Sequence, residues 1–241
     1  AAAAGDRRAL AAAVGLPAPG PRRPDLWGEA ARAFCAYVLD QYRPPADKAV
    51  LVFLQCSVRR PFSSSPSHAS MRRAIAAATG FDPAGHFERC PVHVVVVASH
   101  VGPVPYELEG AYPANVRANG VKQMRPEEYA RAGPELAGRL GAYLRVHGPR
   151  YRHLTSFAEG RYAEVLARAA DAAGAPFAPL PRAGGAEVVR VGRSRPRKYW
   201  ERYWIQLYLQ LCEWLDEPQR RAARQRLESL DVEWVSGAAA H

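Results

Sequence analysis

Two short apolar runs limit what this chain can fold into more than any other feature. Lys48–Gln55 and Val92–Ala98 are each as long as a typical strand, and turn-forming residues follow both. A run of this length without polar alternation is typical of a strand buried on both faces. Such strands occur almost only in parallel sheets that helices cover on both sides, so the two runs predict an α/β fold.

Helical patterns flank and separate these strands. The first predicted helix lies within Asp25–Tyr42, and a second is expected to begin at a cap on Ser67 and end at Gly80. A third, shorter strand at Arg152–Phe157 precedes a helix at Gly160–Ala173. This alternation predicts a three-layer α/β/α architecture with a mainly parallel central sheet.

Proline and glycine set the remaining predicted boundaries. Glu127–Ala132 and Pro134–His147 are predicted as two helices that the proline separates, and Gly174–Gly185 is predicted as a linker. We therefore expect three regions: a frayed N-terminal extension at 1–24, an α/β domain at 25–175, and a linker with a helical C-terminal appendage at 176–241.

The C-terminal region combines basic and aromatic residues. A strand is predicted at Ala186–Val191 and helices at Tyr203–Leu215 and Pro218–Leu230, with a basic stretch at 193–202 between them. Four of its side chains are candidates for binding nucleic-acid phosphates: Arg193, Arg195, Arg197 and Lys198. A solvated basic surface next to a packed amphipathic helix explains the same pattern, and both interpretations stay open.

Charge and composition narrow the class of partner. The net charge of +10 favours a polyanionic partner such as nucleic acid, although a GC-rich genome produces the same Arg-rich bias. No apolar run reaches the roughly 20 residues that span a bilayer, so no membrane partner is expected. The 4 cysteines are widely spaced without a C-x-x-C pair, which favours reduced thiols and a cytoplasmic protein.

The loop after the first predicted strand carries the candidate chemistry. Residues 55–68 read Q-C-S-V-R-R-P-F-S-S-S-P-S-H, and ligands of open α/β sheets bind at the carboxyl ends of the strands. Cys56 stands at such an end, and a cation such as Arg60 lowers the pKa of a nearby thiol. His68 has a side chain suited to proton transfer near neutral pH. An inert thiol in a serine-rich surface loop is the alternative.

Two segments carry a resemblance to a known family. Residues 55–68 are similar to the pattern P-C-x3-K-P-Y-x2-S-x2-H, and residues 98–114 are similar to S-P-L-G-x-V-P-R-E-L-E-x-x-Y-P-A. The matching positions are Cys56, Pro61, Ser65, His68, Ser99, Gly102, Val104, Pro105, Glu107, Leu108, Glu109, Tyr112, Pro113 and Ala114. Both patterns belong to the core domain of archaeosine synthase, which the stretch 47–173 therefore resembles.

The chain also departs from these patterns. Gln55, Arg60 and Phe62 stand where the family has Pro, Lys and Tyr. Residues 115–117 read Asn-Val-Arg where the family commonly has His-Tyr-Asp, so an acidic residue is missing. We expect the substrate base or the amine donor to be held differently at that point.

The resemblance implies a fold similar to uracil-DNA glycosylase and an enzyme that acts on tRNA. The expected reaction adds an amine, with lysine as the expected donor, to the nitrile of 7-cyano-7-deazaguanine. The candidate catalytic residues are the Cys56 nucleophile, the proton-transferring His68, and two carboxylates that bind the amine or the base: Glu107 and Glu109. The candidate substrate-binding residues are Arg60, Ser65, Ser99 and Tyr112.

Other interpretations remain open at this point. The same chemistry could act on DNA or on a free deazapurine nucleoside, or could use water in place of the amine. A non-catalytic nucleic-acid-binding module is the alternative from another class, and the thiol of Cys56 argues against it. His68 as a brace for the loop and Tyr112 as a packing residue also fit the sequence. No metal and no cofactor are expected, because Cys90 and the nearby histidines form no recognisable ligand set.

Overall fold

A computed structural model describes residues 25–182, 187–191, 200–229 and 232–236. The predicted extension at 1–24 lies outside the described residues. So do the four predicted phosphate-binding residues: Arg193, Arg195, Arg197 and Lys198.

Helices and strands alternate along most of the chain, as predicted. In chain order they are α1 (Glu29–Asp40), β1 (Val50–Gln55), α2 (Pro66–Thr79), β2 (Val92–Ala98), β3 (Gly102–Pro105), α3 (Pro126–His147), β4 (His153–Phe157), α4 (Arg161–Ala173), β5 (Ala178–Leu180), β6 (Glu187–Val191), α5 (Trp200–Glu213), α6 (Glu217–Glu228) and β7 (Val232–Ser236).

The central sheet has the strand order β3-β2-β1-β4-β5. Its strands β1, β2, β4 and β5 run parallel, and β3 pairs antiparallel with β2. The two apolar runs form β1 and β2 next to each other, and every residue of β2 is buried. The predicted mainly parallel α/β sheet is therefore confirmed.

The order of the strands determines which face each helix covers. The connection from β1 to β2 runs in one direction across the sheet, whereas those from β2 to β4 and from β4 to β5 run in the other. Because such crossovers are almost always right-handed, α2 covers one face and α3 and α4 cover the opposite face. α5 and α6 pack against α2, and α1 packs against α3, which completes the predicted three layers.

The predicted C-terminal helical appendage packs against the layer formed by α2. Leu207, Leu211 and Leu227 are buried in the same hydrophobic core as the central sheet. Arg226 on α6 donates hydrogen bonds to the carbonyl oxygens of Ala77 and Ala78 at the end of α2, at 2.9 and 2.6 Å. A separate two-stranded antiparallel sheet pairs β6 with β7, a strand that the sequence analysis did not predict.

Two predicted helix boundaries were wrong. Ser65, not Ser67, caps α2, because its Oγ accepts the backbone N–H of His68 at 3.2 Å and Pro66 occupies the first helical turn. Pro134 does not separate two helices, since α3 is continuous through it. The residue before it is Gly133, which has no Cβ to clash with the proline ring.

Two segments predicted as irregular contain edge strands. β5 lies inside the predicted linker, and β3 lies inside the long loop after β2. Both contain proline, which an edge strand tolerates because one side of its backbone needs no ladder hydrogen bond. Among the described residues, no helix is both long and apolar enough to cross a membrane.

Candidate active site

The carboxyl ends of three adjacent strands place polar residues at one edge of the sheet. The chain passes from β1 to α2 on one face of the sheet, whereas after β2 it continues through the edge strand β3 to α3 on the opposite face, and after β4 it passes to α4 on that same face. Ligands of open α/β sheets bind at this kind of reversal. Cys56 is the first residue after β1, Ser99 is the first after β2, and Tyr162 lies in the first turn of α4 after β4.

These three residues form a connected hydrogen-bonded group. The Cys56 S–H donates to the carbonyl oxygen of Ser57 at 3.4 Å, and the backbone N–H of Ser99 and the hydroxyl of Tyr162 lie close enough to the sulfur to lower the pKa of the thiol. The Tyr162 hydroxyl lies 2.8 Å from Ser99 Oγ, which also accepts the backbone N–H of Val121 at 2.9 Å. Ser99 and Tyr162 are buried, whereas Cys56 is partly exposed. The thiol is thus the accessible end of a buried polar network.

The surroundings of Cys56 act on its pKa in opposite directions. Removal from water raises the pKa of the thiol above its ordinary value, and this effect is the largest. The charge of Arg60 and the hydrogen bonds from Ser99 and Tyr162 lower it. The resting thiol therefore stays protonated at neutral pH, while three neighbouring donors are in place to stabilise a thiolate.

Arg60 is held against the thiol by its other contacts. Its Nη2 lies 4.0 Å from the Cys56 sulfur, its Nε donates to the carbonyl of Ala114 at 2.9 Å, and its guanidinium lies 3.9 Å from the centre of the Phe62 ring. Another nitrogen donates to the carbonyl of Ser57 at 2.5 Å. These contacts join the loop after β1 to the loop after β3 and fix a positive charge beside the sulfur.

His100 has an unused acceptor close to this network. Its Nε2 lies 3.1 Å from the carbonyl oxygen of Pro113, so this nitrogen carries the hydrogen. Its Nδ1 is buried and has no hydrogen-bond partner among the described residues. Burial, helped by the charge of Arg60, lowers the pKa of His100 to about 4. The ring is therefore neutral at pH 7, and Nδ1 is a buried acceptor.

Gly120 allows the loop after β3 to pass directly over Tyr162. A Cβ at this position would lie 2.7 Å from the Tyr162 hydroxyl, which is closer than real Cβ contacts allow. The next residue, Val121, provides the N–H that Ser99 Oγ accepts. A glycine here therefore permits the backbone to approach the hydroxyl that contacts the thiol.

The match to a family model covers this entire group. A model described as a domain of unknown function, DUF5591, matches residues 31–179. The chain belongs to the DUF5591 family. The matched segment begins within α1 and ends within the edge strand β5, so it contains β1 to β4 in full.

The curated relatives of this DUF5591 chain are archaeal proteins with one shared name. Archaeosine synthase subunit alpha of Methanosarcina acetivorans is 33% identical over 141 residues, which cover 58% of this chain and 20% of that protein. The protein of the same name from Thermococcus kodakarensis is 31% identical over 124 residues, or 51% and 19% of the two chains. The resemblance to the archaeosine synthase family is confirmed, and the chain spans about 20% of the length of these relatives.

A solved structure is also similar, at a lower level. The crystal structure of AF0587, a protein of unknown function, has 19% sequence identity and a TM-score of 0.44. The similarity covers 62% of this chain and 43% of that one. This likeness is too weak to add to the fold described above.

The predicted residues of the DUF5591 segment do not all meet at the thiol. Cys56, Arg60 and Ser99 come together there, as described. His68 is buried behind the end of β1, with Nδ1 2.6 Å from the Tyr106 hydroxyl and Nε2 2.9 Å from the carbonyl oxygen of Gln55. Both ring nitrogens are thus occupied within the protein. Burial lowers the pKa of His68 to about 4, so the ring is neutral.

The two predicted carboxylates lie in different surroundings. Glu107 accepts a hydrogen bond from the Tyr42 hydroxyl, and its Oε1 lies 3.1 Å from Nε2 of His93, near the amino end of β2. Since β2 rises about 3.3 Å per residue, this carboxylate lies roughly 15 Å from the edge that holds Cys56. Glu109 accepts the backbone N–H of Ser63 at 2.8 Å and also the Ser63 hydroxyl, so it fixes the loop after β1.

Ser65 and Tyr112 are the two remaining candidate substrate-binding residues. Ser65 is the cap of α2, and Tyr112 is partly buried in the loop after β3. In the part of the chain that the structure describes, no three His, Cys, Asp or Glu side chains converge as a metal site would require.

Sequence analysis missed two residues of this site. Tyr162 was assigned only to a helix, and His100 is one of the histidines near Cys90 that were considered only as metal ligands. The position of His100 two residues after β2 was the signal that would have identified it, whereas Tyr162 lies inside a helix and had no comparable signal. His100 also stands where the family pattern has proline, so it distinguishes this chain from that pattern.

Proposed function

We propose that this chain is the core of an archaeosine-pathway tRNA-modifying enzyme, which adds an amine to the nitrile of 7-cyano-7-deazaguanine. The observation that carries the proposal is the partly exposed Cys56 thiol at the reversal point of the sheet, surrounded by Arg60, Ser99 and Tyr162. The name shared by the curated relatives supports the pathway. Binding alone does not require a nucleophile held in this way.

The proposed reaction has two steps at the thiol. The Cys56 thiol loses its proton and attacks the nitrile carbon, a C–S bond forms, and the nitrile nitrogen takes a proton, which gives a thioimidate. The amine of lysine then attacks the same carbon, a C–N bond forms, and the C–S bond breaks. The amine loses a proton and the thiol is restored. The product is an amidine that contains all atoms of the nitrile and the amine.

The surrounding residues have distinct proposed roles. The guanidinium of Arg60 stabilises the thiolate, and the free Nδ1 of His100 accepts a hydrogen bond from an N–H of the amine or the base. Tyr112, next to the Pro113 that His100 contacts, lines the entry for the base. Ser65 and His68 act indirectly, because they fix the loop that carries Cys56.

We further propose that the basic stretch holds the RNA backbone. The net charge of +10 supports an electrostatic contact with phosphates. Replacing Arg195 and Arg197 together with alanine should weaken RNA binding and flatten its dependence on salt. An affinity and a salt dependence equal to those of the unmodified chain would remove this part of the proposal.

The experiment that tests the reaction follows the mass of the modified nucleoside. The chain is incubated with lysine and tRNA that carries 7-cyano-7-deazaguanine, and we expect the nucleoside to gain the mass of one lysine. Parallel reactions without lysine, with DNA that carries the nitrile, and with the free nucleoside distinguish the amine and the substrate. Cys56→Ala should abolish the gain, and Cys212→Ser, which changes a buried thiol on α5, should retain it.

The same experiment separates an enzyme from a binding module. RNA binding without a mass gain in any of the reactions would favour the non-catalytic alternative. A full mass gain with Cys56→Ala would contradict the proposed nucleophile but not the reaction.

A further inference from the structure

We propose that Tyr162 is a positioning residue for Cys56, and that its hydroxyl and that of Ser99 form a hydrogen-bond chain whose direction reverses when the thiol loses its proton. This inference rests on the proposed function, in which Cys56 is the nucleophile. It goes further by naming the groups that stabilise the thiolate and by predicting that Tyr162 contributes more to this stabilisation than the Ser99 hydroxyl.

The heavy atoms of this chain already lie in hydrogen-bonding positions. Val121 N–H donates to Ser99 Oγ at 2.9 Å, Ser99 Oγ lies 2.8 Å from the Tyr162 hydroxyl, and that hydroxyl is near enough to Cys56 for each group to shift the pKa of the other. The backbone N–H of Val121 has a fixed direction, so it anchors one end. The two hydroxyl hydrogens rotate, because a hydroxyl can both donate and accept.

The direction of these hydrogen bonds depends on the charge of the sulfur. With a neutral thiol, the Cys56 S–H donates to the carbonyl oxygen of Ser57 at 3.4 Å, while the Tyr162 hydroxyl donates to Ser99 Oγ. With a thiolate, the Ser99 hydroxyl donates to the Tyr162 oxygen and the Tyr162 hydroxyl donates to the sulfur. Only hydroxyl hydrogens move between these two states. The thiolate thus gains a donor without movement of any side chain.

Burial makes the phenol a donor and not a base. Tyr162 is 2% exposed and Ser99 is 1% exposed, so water does not compete for these hydrogen bonds. Burial and the nearby Cys56 raise the pKa of Tyr162 far above its ordinary value. The phenol therefore keeps its proton when the thiol loses its own.

The test measures how the reactivity of Cys56 depends on pH. The full chain is alkylated with iodoacetamide between pH 7 and pH 11.5, and the rate at Cys56 is followed by mass spectrometry of its peptide. Tyr162→Phe removes only the hydroxyl, and we expect the midpoint of the rate profile to rise by about one pH unit. Ser99→Ala keeps the backbone N–H that contacts the sulfur, so the midpoint should rise by less.

A matched control lies on the neighbouring helix. Tyr129 donates to Glu164 at 2.8 Å and has no contact with this chain of hydroxyls, so Tyr129→Phe should leave the midpoint unchanged. Circular dichroism and thermal unfolding verify that each variant is folded. If the Tyr162→Phe chain does not fold, the alkylation midpoint of the Ser99→Ala chain tests the inference by itself.

The result that would overturn the inference is a folded Tyr162→Phe or Ser99→Ala chain with the midpoint of the unmodified protein. Alkylation requires neither RNA nor lysine, so its outcome is independent of the proposed reaction. A raised midpoint together with no amine transfer would retain the inference and reject the proposed function.

Discussion

Nε2 of His68 lies 2.9 Å from the carbonyl oxygen of Gln55, the last residue of β1. A carbonyl oxygen only accepts, so Nε2 carries a hydrogen. Burial lowers the pKa of His68 to about 4, so Nδ1 carries none at neutral pH and accepts from the Tyr106 hydroxyl at 2.6 Å. The imidazole is therefore neutral. It joins the first turn of α2 to the strand end that precedes Cys56, and it holds the thiol in place from behind.

This geometry predicts a loss of stability in mild acid. The folded pKa of His68 is lowered to about 4 from 6.5, so the unfolded chain binds more protons below pH 6.5. The contribution of His68 is thus complete above pH 6.5 and is lost as the pH falls through 4. By pH 5 the loss is roughly 2 kcal/mol. Urea unfolding at pH 7.5 and pH 5 measures it.

The variant His68→Gln isolates this effect from the other ionisable groups. It should be less stable at both pH values but should lose roughly 2 kcal/mol less between them. His100 has a similarly lowered pKa and contributes equally in both proteins. An identical pH dependence in the two proteins would show that His68 is not held neutral.

Glu107 is predicted to matter for stability and not for the thiol. Its carboxylate, buried with Tyr42 and His93, has a pKa that these hydrogen bonds and the coulombic effect of His93 hold below its ordinary value, in spite of burial. Glu107→Ala leaves buried partners unpaired and should lower the free energy of unfolding by about 3 kcal/mol. The alkylation rate of Cys56 should not change.

The exposed Glu127 on α3 provides the control for this prediction. Glu127→Ala should change the free energy of unfolding by less than about 0.5 kcal/mol. A Glu107→Ala chain of normal stability with slow alkylation at Cys56 would instead place Glu107 in the function of the thiol.

Gly120 is predicted to tolerate no side chain. Gly120→Ala would place a methyl group 2.7 Å from the Tyr162 hydroxyl, so the hydroxyl or the loop must move. We expect the pH midpoint for alkylation of Cys56 to rise, as in Tyr162→Phe. Gly138 on α3 has open space around its Cα, so Gly138→Ala should leave the midpoint unchanged and stabilise the helix by up to about 1 kcal/mol. Equal midpoints in both variants would reject this role of Gly120.

Arg226 is predicted to hold the C-terminal helices on the domain. Its guanidinium satisfies two carbonyl oxygens at the end of α2, where a helix lacks internal donors. Arg226→Ala should lower the free energy of unfolding by about 1 to 3 kcal/mol. The exposed Arg221 on the same helix is the control, and Arg221→Ala should have little effect. Equal losses in both variants would show that the contact with α2 does not stabilise the fold.

Periodicity and apolar runs predicted the architecture well. The apolar runs at β1 and β2 fit few structures other than the centre of a parallel sheet. Gly80 and Gly174 end their helices in the left-handed conformation that glycine favours. The short strands β3 and β5 were missed because their prolines are typical of loops. Pairing with an existing sheet edge overrides this local preference, and the sequence pattern does not contain that information.

The candidate site was only partly predictable from the sequence, because some of its contacts depend on how the elements pack. Cys56 and Ser99 directly follow apolar strands, so their meeting at one sheet edge could be inferred. The position of Glu107 could not, because the short helical turn after β3 directs its side chain toward His93 at the other end of β2. Tyr162 reaches the thiol only through the packing of α4 against the end of β4, which a helical pattern does not reveal.

A covalent adduct on Cys56 tests the central claim most directly. The chain is mixed with tRNA that carries 7-cyano-7-deazaguanine in the absence of an amine, digested with nuclease, and examined by mass spectrometry. We expect the peptide that contains Cys56 to carry the mass of the nitrile nucleotide, and the adduct to disappear when lysine is added. An enzyme that transfers lysine yet never shows this adduct would contradict the account.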